Sequence, residues 1–182
     1  MTTIKLLPLL ATICIFLFGC PIRSLSPLFH EKDLVSDQAL LGTWKNVENS
    51  DAVTFETSGR NSFLALVHED DGDSSKYEVQ LGRLGEYWFA DWFPETKAED
   101  YQLIPTHLIS RVWLSGDSLR LSFLEGDWVE QVLNADETAV PHARQTGSII
   151  LTASTEELQK FVLRHAADGK AFPDPGVFVR AK

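Results

Sequence analysis

Lys76-Tyr77-Glu78-Val79-Gln80-Leu81 alternates polar and apolar side chains, and past a turn at Leu84-Gly85-Glu86 stands Tyr87-Trp88-Phe89-Ala90-Asp91-Trp92-Phe93. A period of two is that of an extended strand with one buried face, so the first stretch predicts a strand and the second its antiparallel partner. In the aromatic stretch, Trp88, Ala90 and Trp92 share one face while Tyr87, Phe89, Asp91 and Phe93 share the other. Both faces are apolar. Such a strand is expected either to be covered on both sides, the second side by a C-terminal helix, or to present an aromatic patch to a partner.

Upstream, Gly42–Val47, Ala52–Thr57 and Ser62–Glu69 are short runs rich in β-branched and aromatic residues, separated by Asn49-Ser50-Asp51 and Ser58-Gly59-Arg60-Asn61. They read as a meander. Downstream, a loop from Pro94 to Pro105 leads to His107–Leu114 and Leu119–Leu124, a hairpin turning at Ser115-Gly116-Asp117-Ser118. The period then changes. Asp127 with Glu130 predicts the start of a short helix carrying Trp128, Val132 and Leu133 on one face. A polar stretch, Asn134–Gly147, precedes a short strand at Ile149-Ile150-Leu151. Ser154 with Glu157 forms a second capping box, and Leu158, Phe161, Val162 and His165 then keep one-face helical spacing over 155–167 until Gly169. Pro173 and Pro175 precede a last strand, Gly176–Val179.

At 182 residues the chain is long enough for one domain, and its 44% hydrophobic content suits a packed core. With 16 basic against 26 acidic residues, a net charge of −10 and no Lys/Arg-rich run, nucleic acid is not expected as a partner. About nine short sequential strands must hide their edges. The expected fold class is therefore mainly β, with a minor helical part: an antiparallel up-and-down β-barrel with a C-terminal helix packed on it. A β-sandwich is the alternative.

The first twenty residues have an address. Lys5 precedes an apolar run, Leu6–Phe18, that is shorter than the roughly 20 residues of a spanning helix, and Leu17-Phe18-Gly19-Cys20 follows. This leader resembles the lipobox of bacterial lipoproteins. The resemblance implies cleavage after Gly19, diacylglycerol on the Cys20 thiol and N-acylation of the new terminus, with two or more acyl chains giving stable attachment. The organisation expected is a signal peptide over 1–19, a lipidated tether over 20–38 and one barrel-like domain over 39–182; the prolines, serines and charges of Pro21–Ser36 read as the spacer, with apolar Leu28-Phe29 the part of it suited to dock on the body. With Cys14 in the leader and Cys20 under lipid, neither of the two cysteines is left for a disulfide or a thiol nucleophile. Pro21 is not the aspartate associated with inner-membrane retention. In a double-membrane bacterium the pattern therefore resembles that of outer-membrane lipoproteins facing the periplasm.

Gly42-Thr43-Trp44 at the first strand, the meander after it, and a late helix followed by a final strand together resemble the lipocalin (calycin) superfamily. That resemblance implies a Trp44 laid across the closed end of the barrel and a helix packed on the wall. By position in the chain it implies Arg111 as the arginine packed on Trp44. It carries no particular ligand with it.

Trp44, Trp88, Trp92 and Trp113 are the candidate ligand-binding residues, because inward aromatics in a barrel of this size either fill it or line a pocket for a small apolar molecule. Glu69-Asp70-Asp71-Gly72-Asp73 lacks the ligand spacing of a helix-loop-helix calcium site and reads as a solvated hairpin tip. Of the five histidines none forms a His-x-x-x-His or Glu-x-x-His pair; surface or cap roles are the first expectation for them, and His107, beside Pro105 and entering a strand, is the one placed to matter locally. Glu99-Asp100 are adjacent in a loop. No nucleophile elbow, Ser-x-x-Lys, P-loop or dinucleotide fingerprint occurs, so no enzyme activity and no cofactor are expected. The functional expectation is a lipid-anchored envelope protein holding a small apolar or amphipathic ligand. The alternative is a non-catalytic envelope protein with a solid barrel that meets another protein.

Overall fold

The computed structural model describes residues 20–69, 72–95, 104–145 and 147–182. The leader, the Asp70-Asp71 pair and the Glu99-Asp100 pair lie outside the described residues.

Eleven strands form the sheet: β1 (Arg23–Ser24), β2 (Gly42–Asn46), β3 (Ala52–Ser58), β4 (Ser62–His68), β5 (Ser74–Leu84), β6 (Tyr87–Pro94), β7 (His107–Ser115), β8 (Ser118–Phe123), β9 (His142–Gln145), β10 (Ser148–Leu151) and β11 (Gly176–Arg180). Among the described residues two α-helices, α1 (Gly126–Ala135) and α2 (Thr155–Arg164), fall between β8 and β11. From β2 to β8 each strand pairs antiparallel with the next, and β11 closes the ring by pairing with β8 on one side and β2 on the other. The result is a closed eight-stranded up-and-down barrel of lipocalin-like architecture. The sandwich alternative is excluded, since all eight strands belong to one continuous ring.

The alternation of side chains sorts the apolar residues into two cores. Trp44, Val53, Phe55, Phe63, Ala65, Val79, Leu81, Ala90, Trp92, Val112, Leu119, Leu121 and Phe178 fill the barrel. Phe89 and Ile109 point the other way, into a second core built with Trp128, Val129 and Leu133 of α1 and Leu158, Phe161 and Val162 of α2. The aromatic strand β6 is thus covered on both sides, as its sequence predicts, and helix α2 packs on the wall. Ser154 caps α2 through the expected reciprocal pair with Glu157. That helix ends at Arg164, earlier than its apolar period, because the chain tightens into a turn at His165.

Three expectations are corrected. Asp127 is not the cap of α1: Glu125 is, its carboxylate accepting from the Asp127 N–H, so Asp127 falls within the first turn. The polar stretch 134–147 contains a strand, β9, which pairs with β10; β10 runs parallel to β1, and β1 extends the sheet from the end of β7. The largest correction concerns 20–38, expected as a tether with at most Leu28-Phe29 docked, which is held to the body at several points. Ile22, Leu28 and Phe29 are buried in the outer core, the Leu28 carbonyl accepts from Gln159 of α2, and the Pro27 carbonyl accepts from the Thr155 hydroxyl. Phe29 lies against Gly82 so closely that a Cβ there would come within 2.5 Å of its ring. Only glycine leaves that space on β5.

His165 reports on the outer core. Its ring lies 4.8 Å from Trp128 and 5.0 Å from Phe161, and this burial pushes its pKa below the ordinary value, with Arg164 adding to the effect and Asp168 opposing it. A depressed native pKa means that below about pH 6.5 the unfolded chain takes up a proton the native ring refuses. Stability from this group is therefore full above that pH and falls as pH drops toward the lowered native value. His165→Gln is expected to remove that part of the slope, read as a smaller loss of urea midpoint between pH 7.5 and 5.5 than in the parent protein.

Candidate functional site

The barrel has two unlike ends. One end holds the turns Ser58–Ser62, Leu84–Tyr87 and Ser115–Ser118 and the start of β2, where Trp44 is fully buried and donates its Nε1–H to the Leu40 carbonyl at 2.8 Å. Arg180, in the closing strand, stacks its guanidinium 4.2 Å from the Trp44 ring and donates to the carbonyls of Leu41 and Ala39, both at 2.6 Å. A stacked guanidinium with both amino groups bonded is a strong clamp. Trp44 is buried at this end, and the arginine on it is Arg180, not Arg111. Arg111 points outward on β7, sandwiched 4.5 Å from both Tyr87 and Trp113 and bonded to the Ala166 carbonyl at the end of α2.

At the other end lies an apolar cavity of about 110 Å³. Trp92, Tyr77, Phe123, Phe178, Val53 and Val67 shape it, and Asp51 stands in its wall. The Trp92 ring is fixed by a 2.9 Å bond from its Nε1–H to Ser110 Oγ and by ring contacts with Phe55 and Phe123. A volume of this order takes a benzene-sized group. Of the four candidate tryptophans, Trp92 alone lines this cavity. Trp44 is buried at the closed end; Trp88 sits half-buried at the closed end under Arg83; Trp113 is on the outer face between Arg111 and Arg120. The four are not one site. Alternation from Trp92 through Leu108 and Val112 places Trp113 outside, but its register against β6 depends on the loop between them.

Pro21, next to Cys20, also lines the cavity. Cys20 is exposed, and its carbonyl accepts from the Gly126 N–H at the start of α1 at 2.9 Å. Any side chain at Gly126 would bring a Cβ within 2.5 Å of that carbonyl oxygen.

A second, more polar cleft of about 270 Å³ lies outside the barrel, between the N-terminal segment and the outer faces of β5 and β6. Glu31, Glu78, Gln80, Asp91 and His107 contribute its polar groups. His107 Nδ1 is 2.7 Å from Asp91 Oδ1, and the second Asp91 oxygen accepts from the Leu28 N–H. This pair fixes one imidazole tautomer, as an acid–base dyad would. Through the Leu28 N–H the pair ties the N-terminal segment to β6 and β7. His107 is paired with Asp91, a residue that no sequence motif marks. Among the described residues no helix is long and apolar enough to cross a membrane.

No family model, curated protein or solved structure matches the chain.

Proposed function

We propose that this chain is a lipid-anchored bacterial envelope protein whose barrel holds a small apolar molecule, or the apolar tip of an amphipathic one, in the cavity at its open end. The observation that carries the reading is that cavity: its wall is aromatic and aliphatic, and its one ionisable carboxylate, Asp51, suits a ligand with an apolar end inside and a polar end in water. The lipobox-like Leu17-Phe18-Gly19-Cys20 supports the anchor. Native mass spectrometry on the leaderless body carrying Cys20→Ser, purified gently from its own host, tests the ligand. The expected spectrum shows an adduct that disappears on denaturation and is absent from Val67→Phe, whose larger ring fills the space. A bare chain mass in both proteins overturns the ligand reading.

One observation favours a second reading, an interaction or structural lipoprotein with a solid barrel. The cavity is well below the roughly 300 Å³ at which drug-sized sites begin, because Phe55, Phe63 and Trp44 fill the rest of the interior. Cross-linking in the envelope with loss of a protein complex, and no adduct, would establish that alternative. The anchor has its own test. Cys20→Ser in the full chain is expected to move the protein from the membrane to the soluble fraction; retention in the membrane would refute lipidation.

A further inference from the structure

The lipidated residue and the cavity lie at one end of the barrel. The segment 20–22 is held there by the Gly126 N–H donating to the Cys20 carbonyl, a bridge between Pro21 and Glu125, and the Ile22 N–H donating to the Leu124 carbonyl. Glu125 and Gly126 follow β8 directly as it leaves the open end, and Pro21 is in the cavity wall. Between Cys20 and the barrel there is no spacer. Acyl chains on Cys20 therefore fix which end of the body meets the bilayer.

Exposed apolar side chains mark the same end. Val47, 53% exposed, follows β2 there; Ile104, 78% exposed, approaches β7 there; Leu25, 46% exposed, extends β1 past the start of β7. These three are most of the five large exposed hydrophobic residues among those described. Charge sets the kind of surface they suit. The described parts of the β2–β3, β4–β5 and β6–β7 turns carry Glu48, Asp51, Glu69, Asp73 and Glu95, and against these five acids the same end sets Lys76 at the start of β5 and Lys170 before β11. An acidic rim is repelled by anionic headgroups and tolerated by zwitterionic ones.

We infer that the open end of the barrel is a bilayer-facing surface, seating Leu25, Val47 and Ile104 at a zwitterionic headgroup layer so that the cavity receives its ligand from the lipid side. The inference rests on the anchor proposed above. It adds an orientation that a flexible tether would not impose, and it makes access to the cavity a membrane event.

The mature, acylated protein in phosphatidylcholine vesicles carrying headgroup-nitroxide lipid provides the test, because the body has no other cysteine to compete for a label. Ser50→Cys places a dye in the open-end turn between β2 and β3, and Arg60→Cys places one in the closed-end turn, a strand length or roughly 20 Å away. The Ser50 dye is expected to lose most of its intensity to the nitroxide and the Arg60 dye little. The difference should shrink in phosphatidylglycerol vesicles at low salt and return as salt screens the rim. Equal quenching, or stronger quenching at Arg60, in vesicle-bound protein overturns the orientation and leaves the anchor standing. Protein that fails to float with the vesicles overturns both.

Discussion

Trp44→Ala is expected to lower the free energy of unfolding by about 3–5 kcal/mol, the range for removing a large aromatic side chain from a closed core. Trp44 has no exposed surface, and its loss removes three supports together. The core is left with a void, the Leu40 carbonyl loses its indole N–H, and Arg180 loses the ring on which its guanidinium is stacked. Arg180 in turn ties the 38–40 turn to the closing strand, so damage spreads along the β2–β11 seam. For a body of this size the shift in Tm should be on the order of 10 °C. Trp44→Phe separates the contributions: it keeps a ring under the guanidinium and leaves the Leu40 carbonyl unpaired, at a cost nearer 1–3 kcal/mol. Urea unfolding checks both. A Trp44→Ala midpoint equal to the parent's would mean that Trp44 is not what holds the ring closed.

What the sequence disclosed followed from periodicity, and what it concealed followed from long-range pairing. The two apolar faces of Tyr87–Phe93 require two covers, and the barrel interior and the helix layer supply them. Capping chemistry located α2 because Ser154 and Glu157 act over three residues, within the reach of local reading. Arg180 was hidden because its partner is 136 positions away through strand closure, while Arg111 occupied a plausible place in the chain. β9 was hidden because His142-Ala143-Arg144-Gln145 is a four-residue edge strand, too short and too polar for alternation to show. In Pro21–Ser36 the prolines and serines suggested a spacer, and Leu28-Phe29 were the only local sign of docking; the matching sign, Gly82 beneath Phe29, lies on another strand. The site suffered in the same way. Choosing tryptophans by residue type gathered one lining residue, one closed-end residue, one rim and one outer-wall residue, since only register decides which face of a strand looks inward.

Asp91→Ala should be the most damaging single change on the outer wall, because it removes one acceptor that two donors share. The carboxylate is 2% exposed and receives His107 Nδ1–H and Leu28 N–H from two different parts of the chain. Leaving a buried donor unpaired costs about 1–3 kcal/mol, and the Leu28 amide, on a fully buried residue, cannot turn to water. His107, which also stacks at 4.6 Å on Phe93, can rotate toward the cleft and recover part of its loss, so roughly 3 kcal/mol is expected in all. The damage should also be local. Amide exchange at Leu28 and Phe29 should accelerate before that of the barrel strands, because these residues hold the N-terminal segment against β5 and β6. Asp91→Asn keeps an oxygen for Leu28 and offers an amide to the other imidazole tautomer, so it should cost clearly less than alanine. If asparagine and alanine proved equally harmful, the carboxylate's charge would be the decisive property; if both were harmless, Leu28 and Phe29 would be held by apolar packing alone. Because the same segment carries Cys20 to the barrel mouth, loosening it should also blur the orientation of the body on a membrane. An Asp91→Ala protein that remains folded should then show a smaller difference between open-end and closed-end quenching than the parent.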